Sequence, residues 1–187
     1  FSLTHSTIGA DVVTMSGMSE DNYDIEFFWD PICPFAWVTS RWIEKVAAQT
    51  DYSVDWRFIS LRILNKEKNY DTDFPAGYEQ GHTSGLRFLR AAAQVREEEG
   101  RGAMSALYAA FGTHYWELDQ QPGLRKQLGT VEHTEKCLTT AGLPIRHAVA
   151  VDDSQWDEII EKQFDYRHRP CNFVEIMPRL DEQMRRK

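Results

Sequence analysis

The residue best placed to do chemistry in this chain is Cys33, which follows Trp29-Asp30-Pro31-Ile32 and precedes Pro34-Phe35-Ala36. A thiol is a nucleophile only when ionised, and an unperturbed pKa of about 8.5 leaves it mostly protonated at neutral pH. Pro34 suits the first position of a helix, where its missing N–H costs nothing. Cys33 is therefore expected at a helix start, where unpaired backbone N–H groups and the macrodipole favour an anion. Asp30, if close and ionised, would pull the other way. The competing role for Cys33 is a small, inert residue filling a strand–helix corner.

Other side chains offer weaker chemistry. Among the six tryptophans, Trp37 is the best candidate for a wall on which an aromatic substrate stacks, although aromatic residues at helical spacing are more often core. His114, in Gly112-Thr113-His114-Tyr115-Trp116, could orient a substrate or act as an acid; a surface histidine is the alternative. His82, His133, His147 and His168 show no metal-ligand spacing with one another or with a cysteine, so no metal is expected. Cys137 and Cys171 read as core or incidental. There is no Gly-rich phosphate loop and no G-x-S-x-G elbow.

The elements that must position Cys33 follow from the apolar pattern. Residues 24–29 read as a buried strand ending at the turn signal Asp30-Pro31. Phe35, Val38, Trp42, Ile43 and Val46 recur at helical spacing and predict a helix from about Pro34 to Gln49 with that stripe inward. Residues 54–59 alternate with period two and read as a second strand, completing a βαβ unit whose strands should be parallel. Residues 61–75 read as a polar connection. Helices then follow: one through Leu86, Leu89, Ala92, Ala93 and Val95, ending in the charged run 96–99; one through Met104, Leu107, Tyr108 and Phe111; one over 123–141; a short one over 144–151; and one capped by 152–154 and running to about Phe164. Strands and helices do not keep alternating, so the pattern fits a small sheet domain carrying a helical insertion better than a doubly wound sheet.

The bulk properties narrow the partners. A formal net charge of -8 argues against general nucleic-acid binding and against docking on anionic membranes. No apolar run approaches the ~20 residues that span a bilayer, and no secretory signal is visible. Three cysteines make no disulfide framework, which points to a reducing, cytoplasmic setting.

The run Phe28-Trp29-Asp30-Pro31-Ile32-Cys33-Pro34-Phe35-Ala36-Trp37-Val38-Thr39-Ser40-Arg41-Trp42 resembles the active-site segment of DsbA-type thioredoxin-fold proteins. It is most similar to the actinobacterial DsbA-like group that includes mycothiol-dependent reductases. Residues 60–65 and 107–113 resemble that group as well, and the likeness extends over about 24–164. The resemblance implies a thioredoxin-like βαβ unit with a large α-helical insertion. It also implies a catalytic Cys33, redox chemistry on a disulfide or small-molecule substrate, and a small thiol of the mycothiol or glutathione type as co-substrate, with no bound cofactor. Pro34, Phe35, Trp37 and His114 are then the expected substrate- or thiol-binding residues. The expected organisation is a disordered extension over 1–23, the thioredoxin-like portion over 24–75, the insertion over 76–165 and an atypical tail over 166–187.

The chain departs from the family pattern in two ways. The dithiol motif is Cys-x-x-Cys, but its second position here is Ala36, so an internal disulfide within the motif is impossible and another molecule must release Cys33. A thioredoxin fold also needs a ββα half opened by a cis-proline. Neither Pro170 nor Pro178 follows the Val or Thr usual there, and no pair of apolar strands flanks them, so the tail reads as truncated or rewritten. The competing functional readings are a kappa-class-like thiol transferase or isomerase, and a non-catalytic remnant that binds a thiol or a partner.

Overall fold

Ile25–Trp29 (β1) and Val54–Phe58 (β2) run parallel, with Ile25 opposite Val54 and Trp29 opposite Phe58. The computed structural model describes residues 23–117 and 124–164. The expected N-terminal extension, apart from Tyr23, and the expected tail with Pro170, Cys171 and Pro178 lie outside them. Pro34–Ala47 (α1) makes the crossover between the strands. The remaining described elements are helical: Leu61–Leu64 (α2), Tyr70–Asp73 (α3), Tyr78–Glu99 (α4), Ala103–Gly112 (α5), a π-helical turn over Thr113–Glu117, Leu124–Gln127 (α6), Val131–Thr140 (α7), a 3-10 helix over Ile145–Asp152, and Trp156–Gln163 (α8). The fold is mixed α/β, mostly helical with a small parallel sheet, and compatible with a thioredoxin-like unit carrying a helical insertion.

The long α4 is the hub, touching α2, α5, α8 and the 3-10 helix. Its buried Ala91 presents little bulk, which lets Ala150 and Val151 of the 3-10 helix pack closely against it. Polar ties fix the neighbours. Arg90 grips both carboxylate oxygens of Asp157 on α8, at 2.7 and 2.8 Å. Arg96, expected in a charged run at the helix end, is instead buried, donating to Asp55 at 2.7 Å and to the Trp56 carbonyl at 2.9 Å. Removing one partner of such a buried pair typically costs about 3–5 kcal/mol. At the far end of β2, the Phe58 N–H donates to the Gln163 side chain.

Four expectations are corrected. The stripe on α1 is split: Ile43 is buried and Val46 half-buried, while Phe35, Val38 and Trp42 are exposed and Trp37 and Ser40 are buried in their place. Both faces of this helix carry apolar residues, and Gly112 of α5 decides between them. A Cβ placed there would lie 2.0 Å from the Trp37 ring, so only glycine admits that ring between the helices. The connection over 61–75 contains two helical turns, nucleated by Ser60 accepting the Ile63 N–H and Asn69 accepting the Asp71 N–H. The helix expected over 123–141 breaks at Gly129, whose φ of +68° and close approach to the Ser84 carbonyl both require glycine. Thr130 restarts it by accepting the His133 N–H. Finally, α8 begins only at Trp156, and Asp153 spends its carboxylate on the Gln155 N–H in a local turn.

Candidate active site

Cys33 caps the N-terminus of α1 with extended backbone, φ −79° and ψ 112°, and Pro34 stands directly inside the helix. Its carbonyl accepts the Trp37 N–H at 3.1 Å, closing the first turn. Cys33 is half-buried, in no disulfide, and its side chain makes no cap hydrogen bond. Pro34 and Phe35 are exposed beside it, Phe35 at 82 %. Trp37 faces inward: its ring lies on Gly112, edge-on to Tyr108, with the Arg41 guanidinium 4.0 Å from its centroid. Ala36, partly buried, occupies the position of the absent second thiol.

The turn that carries Cys33 is held from below. Asp30 is fully buried and accepts the Ile32 N–H and, across the fold, the Leu61 N–H, each at 2.8 Å. Its own carbonyl accepts the Cys33 N–H at 3.1 Å. Burial pushes the Asp30 carboxyl up to about 6, against the pull of the two N–H groups. Gly81 and Gly85, one turn apart on α4, form a notch for this loop. The Cβ position of Gly85 lies 2.9 Å from the Ile32 side chain and 3.0 Å from Asp30 Oδ1. Behind Trp29, the Tyr108 ring stacks at 4.4 Å, and its buried hydroxyl makes no hydrogen bond among the described residues.

His114 is directed elsewhere. Its Nε2 bonds with Thr140 Oγ1 at 3.2 Å, and it lines a shallow depression with Glu132, Glu135, Lys136 and Thr139 of α7. The structure thus gathers Cys33, Pro34, Phe35 and Trp37 at one helix start and sends His114 to another helix. Cys137 is buried against the His133 ring, and burial pushes its thiol up to about 12, which leaves it protonated and inert.

Sequence reasoning missed three members of this neighbourhood. The sequence presents Tyr108 only as one more core position, and Asp30 only as a charge that opposes the thiolate when close and ionised. An aspartate followed by proline before a buried helix start was the available signal for a residue bonded to its own turn. The third is an aromatic cluster at the start of α4, in which Tyr70, Phe74 and Tyr78 surround His82. His82 bonds to the Tyr70 hydroxyl at 2.9 Å, and burial together with Arg62 lowers its pKa. The cluster adjoins the turn through Gly81, whose Cβ position lies 3.6 Å from Ile32.

Comparison with known proteins adds two findings. A family model, Rv2466c-like, described as mycothiol-dependent nitroreductase Rv2466c, matches residues 32–171. The uncharacterized protein Rv2286c of Mycobacterium tuberculosis (strain ATCC 25618 / H37Rv) is 34% identical over 105 residues, which cover 52% of this chain. The match spans only 40% of that curated relative's length.

Proposed function

Since this chain belongs to the Rv2466c-like family, we propose that it is a monothiol oxidoreductase of the DsbA-like kind, with Cys33 as its catalytic residue and a small thiol of the mycothiol type as co-reductant. The observation that carries this reading is the placement of a half-buried cysteine at the cap of α1, its turn fixed by the buried Asp30 and by the glycine notch of α4. The start of a helix, with its unpaired N–H groups and macrodipole, favours an anion at the cap. Exposed Pro34 and Phe35 supply an apolar lip for the incoming substrate or thiol, and Trp37 supports that lip from inside. His114, bonded to Thr140, stands outside this grouping.

With Ala36 in place of a resolving cysteine, the cycle runs through one sulfur. The Cys33 thiolate attacks a disulfide R–S–S–R′, forming Cys33–S–S–R and expelling R′–S⁻, which takes up a proton. A small thiolate then attacks the R sulfur, restoring the Cys33 thiolate and leaving R joined to the small thiol in a mixed disulfide. One turn of this cycle exchanges R′–S⁻ for the small thiol and returns Cys33 unchanged. Full two-electron reduction of the substrate takes a second small thiolate, which attacks the small-thiol sulfur of the mixed disulfide, releases R–S⁻ and leaves the two small thiols joined as a disulfide. This chemistry belongs in a reducing compartment, the cytoplasm. No helix among the described residues is long and apolar enough to cross a membrane.

The test is thiol-coupled reduction by the wild-type chain and by Cys33→Ser. The variant is expected to lose turnover entirely, and Cys33 to alkylate faster at pH 6 than a free cysteine. Undiminished turnover in Cys33→Ser, with a small thiol still bound, would sink the redox cycle and favour a kappa-class-like transferase.

A further inference from the structure

Asp30 is buried without an ion pair among the described residues, and every hydrogen bond recorded for its carboxylate comes from backbone. One oxygen holds the Ile32 N–H, immediately before Cys33. The other holds the Leu61 N–H, the first residue of α2, 31 positions along the chain. The same carboxylate therefore closes the thiol-bearing turn and fastens it to the segment leaving β2. Gly85 of α4 leaves the space that the carboxylate occupies, because a Cβ there would stand 3.0 Å from Oδ1.

The groups facing Asp30 are few. Tyr108 on α5 feels its charge and that of Cys33. Arg41 on α1 reaches Tyr108 but lies over Trp37 and pairs with Glu44. On α2, Arg62 is turned to Tyr70 and Glu79, and on α4, His82 is bonded to Tyr70. In the sheet, Asp55 is paired with Arg96 and Glu26 with Arg57. None of these cations is recorded as a partner of the carboxylate, so its state is set by burial and the two N–H groups.

We propose that Asp30 is a positioning residue for Cys33, one that sets both the geometry of the thiol-bearing turn and the readiness of the thiol to ionise according to whether its carboxyl carries a proton. This rests on the reading that Cys33 is the working thiol. Ionised, Asp30 makes two charge-assisted bonds that hold the turn, and its charge opposes a second anion close by. Protonated, it no longer opposes the thiolate, and its hold on one N–H weakens. Burial moves this transition to about pH 6, so it falls inside the physiological range.

The experiment is the rate of iodoacetamide alkylation of Cys33 from pH 5 to 8, with Cys33→Ser as the blank. In the wild type the rate should climb less than tenfold per pH unit around pH 6. In Asp30→Asn the flattening around pH 6 should disappear, and the rate should climb log-linearly from pH 5 to about 6.5. It should run about three- to tenfold faster than wild type just above pH 6.5, the magnitude expected of one partly screened charge. Should Asp30→Asn not fold, the wild-type curve and the carbon-13 carboxyl resonance of Asp30 decide the matter. A resonance moving near pH 6 together with the flattened rate curve supports the role. A log-linear wild-type curve with a resonance constant from pH 5 to 7 overturns it. If the blank alkylates as fast as the wild type, Cys33 is not the reactive thiol and both readings fall. If Cys33 is reactive and the wild-type and Asp30→Asn curves coincide, the positioning role alone falls.

Discussion

Two thiols and one phenol show how much burial decides at the scale of the residue. Cys33 is half-exposed at a helix cap, whereas Cys137 is sealed in the core with its thiol pushed up to about 12. Only the first is available to a reagent at neutral pH. Tyr108 lies between these extremes in a different sense: its ring is fully buried and well packed, but its hydroxyl makes no hydrogen bond among the described residues. Burial, then the charges of Asp30 and Cys33, drive its ionisation far above the ordinary phenol range, so it stays a neutral donor. Ser40 lies near enough to favour its ionised form slightly, and donates its own proton to the Trp37 carbonyl at 2.7 Å. A buried hydroxyl left unbonded costs about 1–3 kcal/mol. Tyr108→Phe should therefore hold stability or raise it by up to about 1 kcal/mol, while Tyr108→Leu, which also empties the stack on Trp29, should cost about 3 kcal/mol. Urea unfolding measures both. A loss above about 1 kcal/mol in the phenylalanine variant would show that the hydroxyl has a partner after all.

Helix placement depends on a few glycines at the scale of the element. Trp37 enters the α1–α5 interface only because Gly112 has no side chain. Gly112→Ala should force the ring or the helix to move and cost about 1–3 kcal/mol, the usual range for overpacking. Gly102 is the control. It caps α5 with φ −62° and ψ −21°, and nothing lies within 4 Å of its Cβ position. Gly102→Ala should stabilise by about 0.4–1 kcal/mol through the unfolded chain. Equal effects on melting from the two changes would remove the steric explanation for the orientation of α1. This is also where the sequence was hardest to read. The strand–helix–strand order, Cys33 at a helix start and the helical block are local properties, carried by period and by Pro34, and they were legible. Which apolar face of α1 turns inward depends on a glycine 75 positions away, and the burial of Arg96 depends on Asp55 arriving from β2. No window of sequence contains those contacts. The Leu61 N–H that completes Asp30 is similarly remote, so the aspartate was visible while its role was not.

Two buried groups act in opposite senses on the pH dependence of the molecule as a whole. The Asp30 carboxyl lies at about 6 in the fold against 3.8 when free. The folded chain thus binds that proton more tightly, and stability present below pH 4 is lost as pH rises through 6, by about 3 kcal/mol. The His133 imidazole, packed among Phe88, Phe111 and Cys137, lies at about 4 against 6.5, lowered by burial, then by His114 and Lys136. Here the unfolded chain binds the proton more tightly, so stability is gained as pH rises from 4 to 6.5, again by about 3 kcal/mol. The two slopes oppose each other over most of their range, with His82, whose pKa is also lowered, acting on the His133 side. The wild-type profile between pH 4 and 6.5 should therefore be flatter than it would be with Asp30 or His133 alone. Exposed carboxylates such as Glu98 and Glu99, held low chiefly by hydrogen bonds from Gln94 and His147, act mainly below that window and equally in every variant. Replacing one member should reveal the other. His133→Gln should lose stability as pH rises from 4 to 6, and Asp30→Asn should gain it, whatever each substitution costs at a single pH. Urea midpoints measured at half-unit intervals give the slopes directly. Parallel profiles for the wild type and both variants would mean that neither group titrates between these limits in the folded chain.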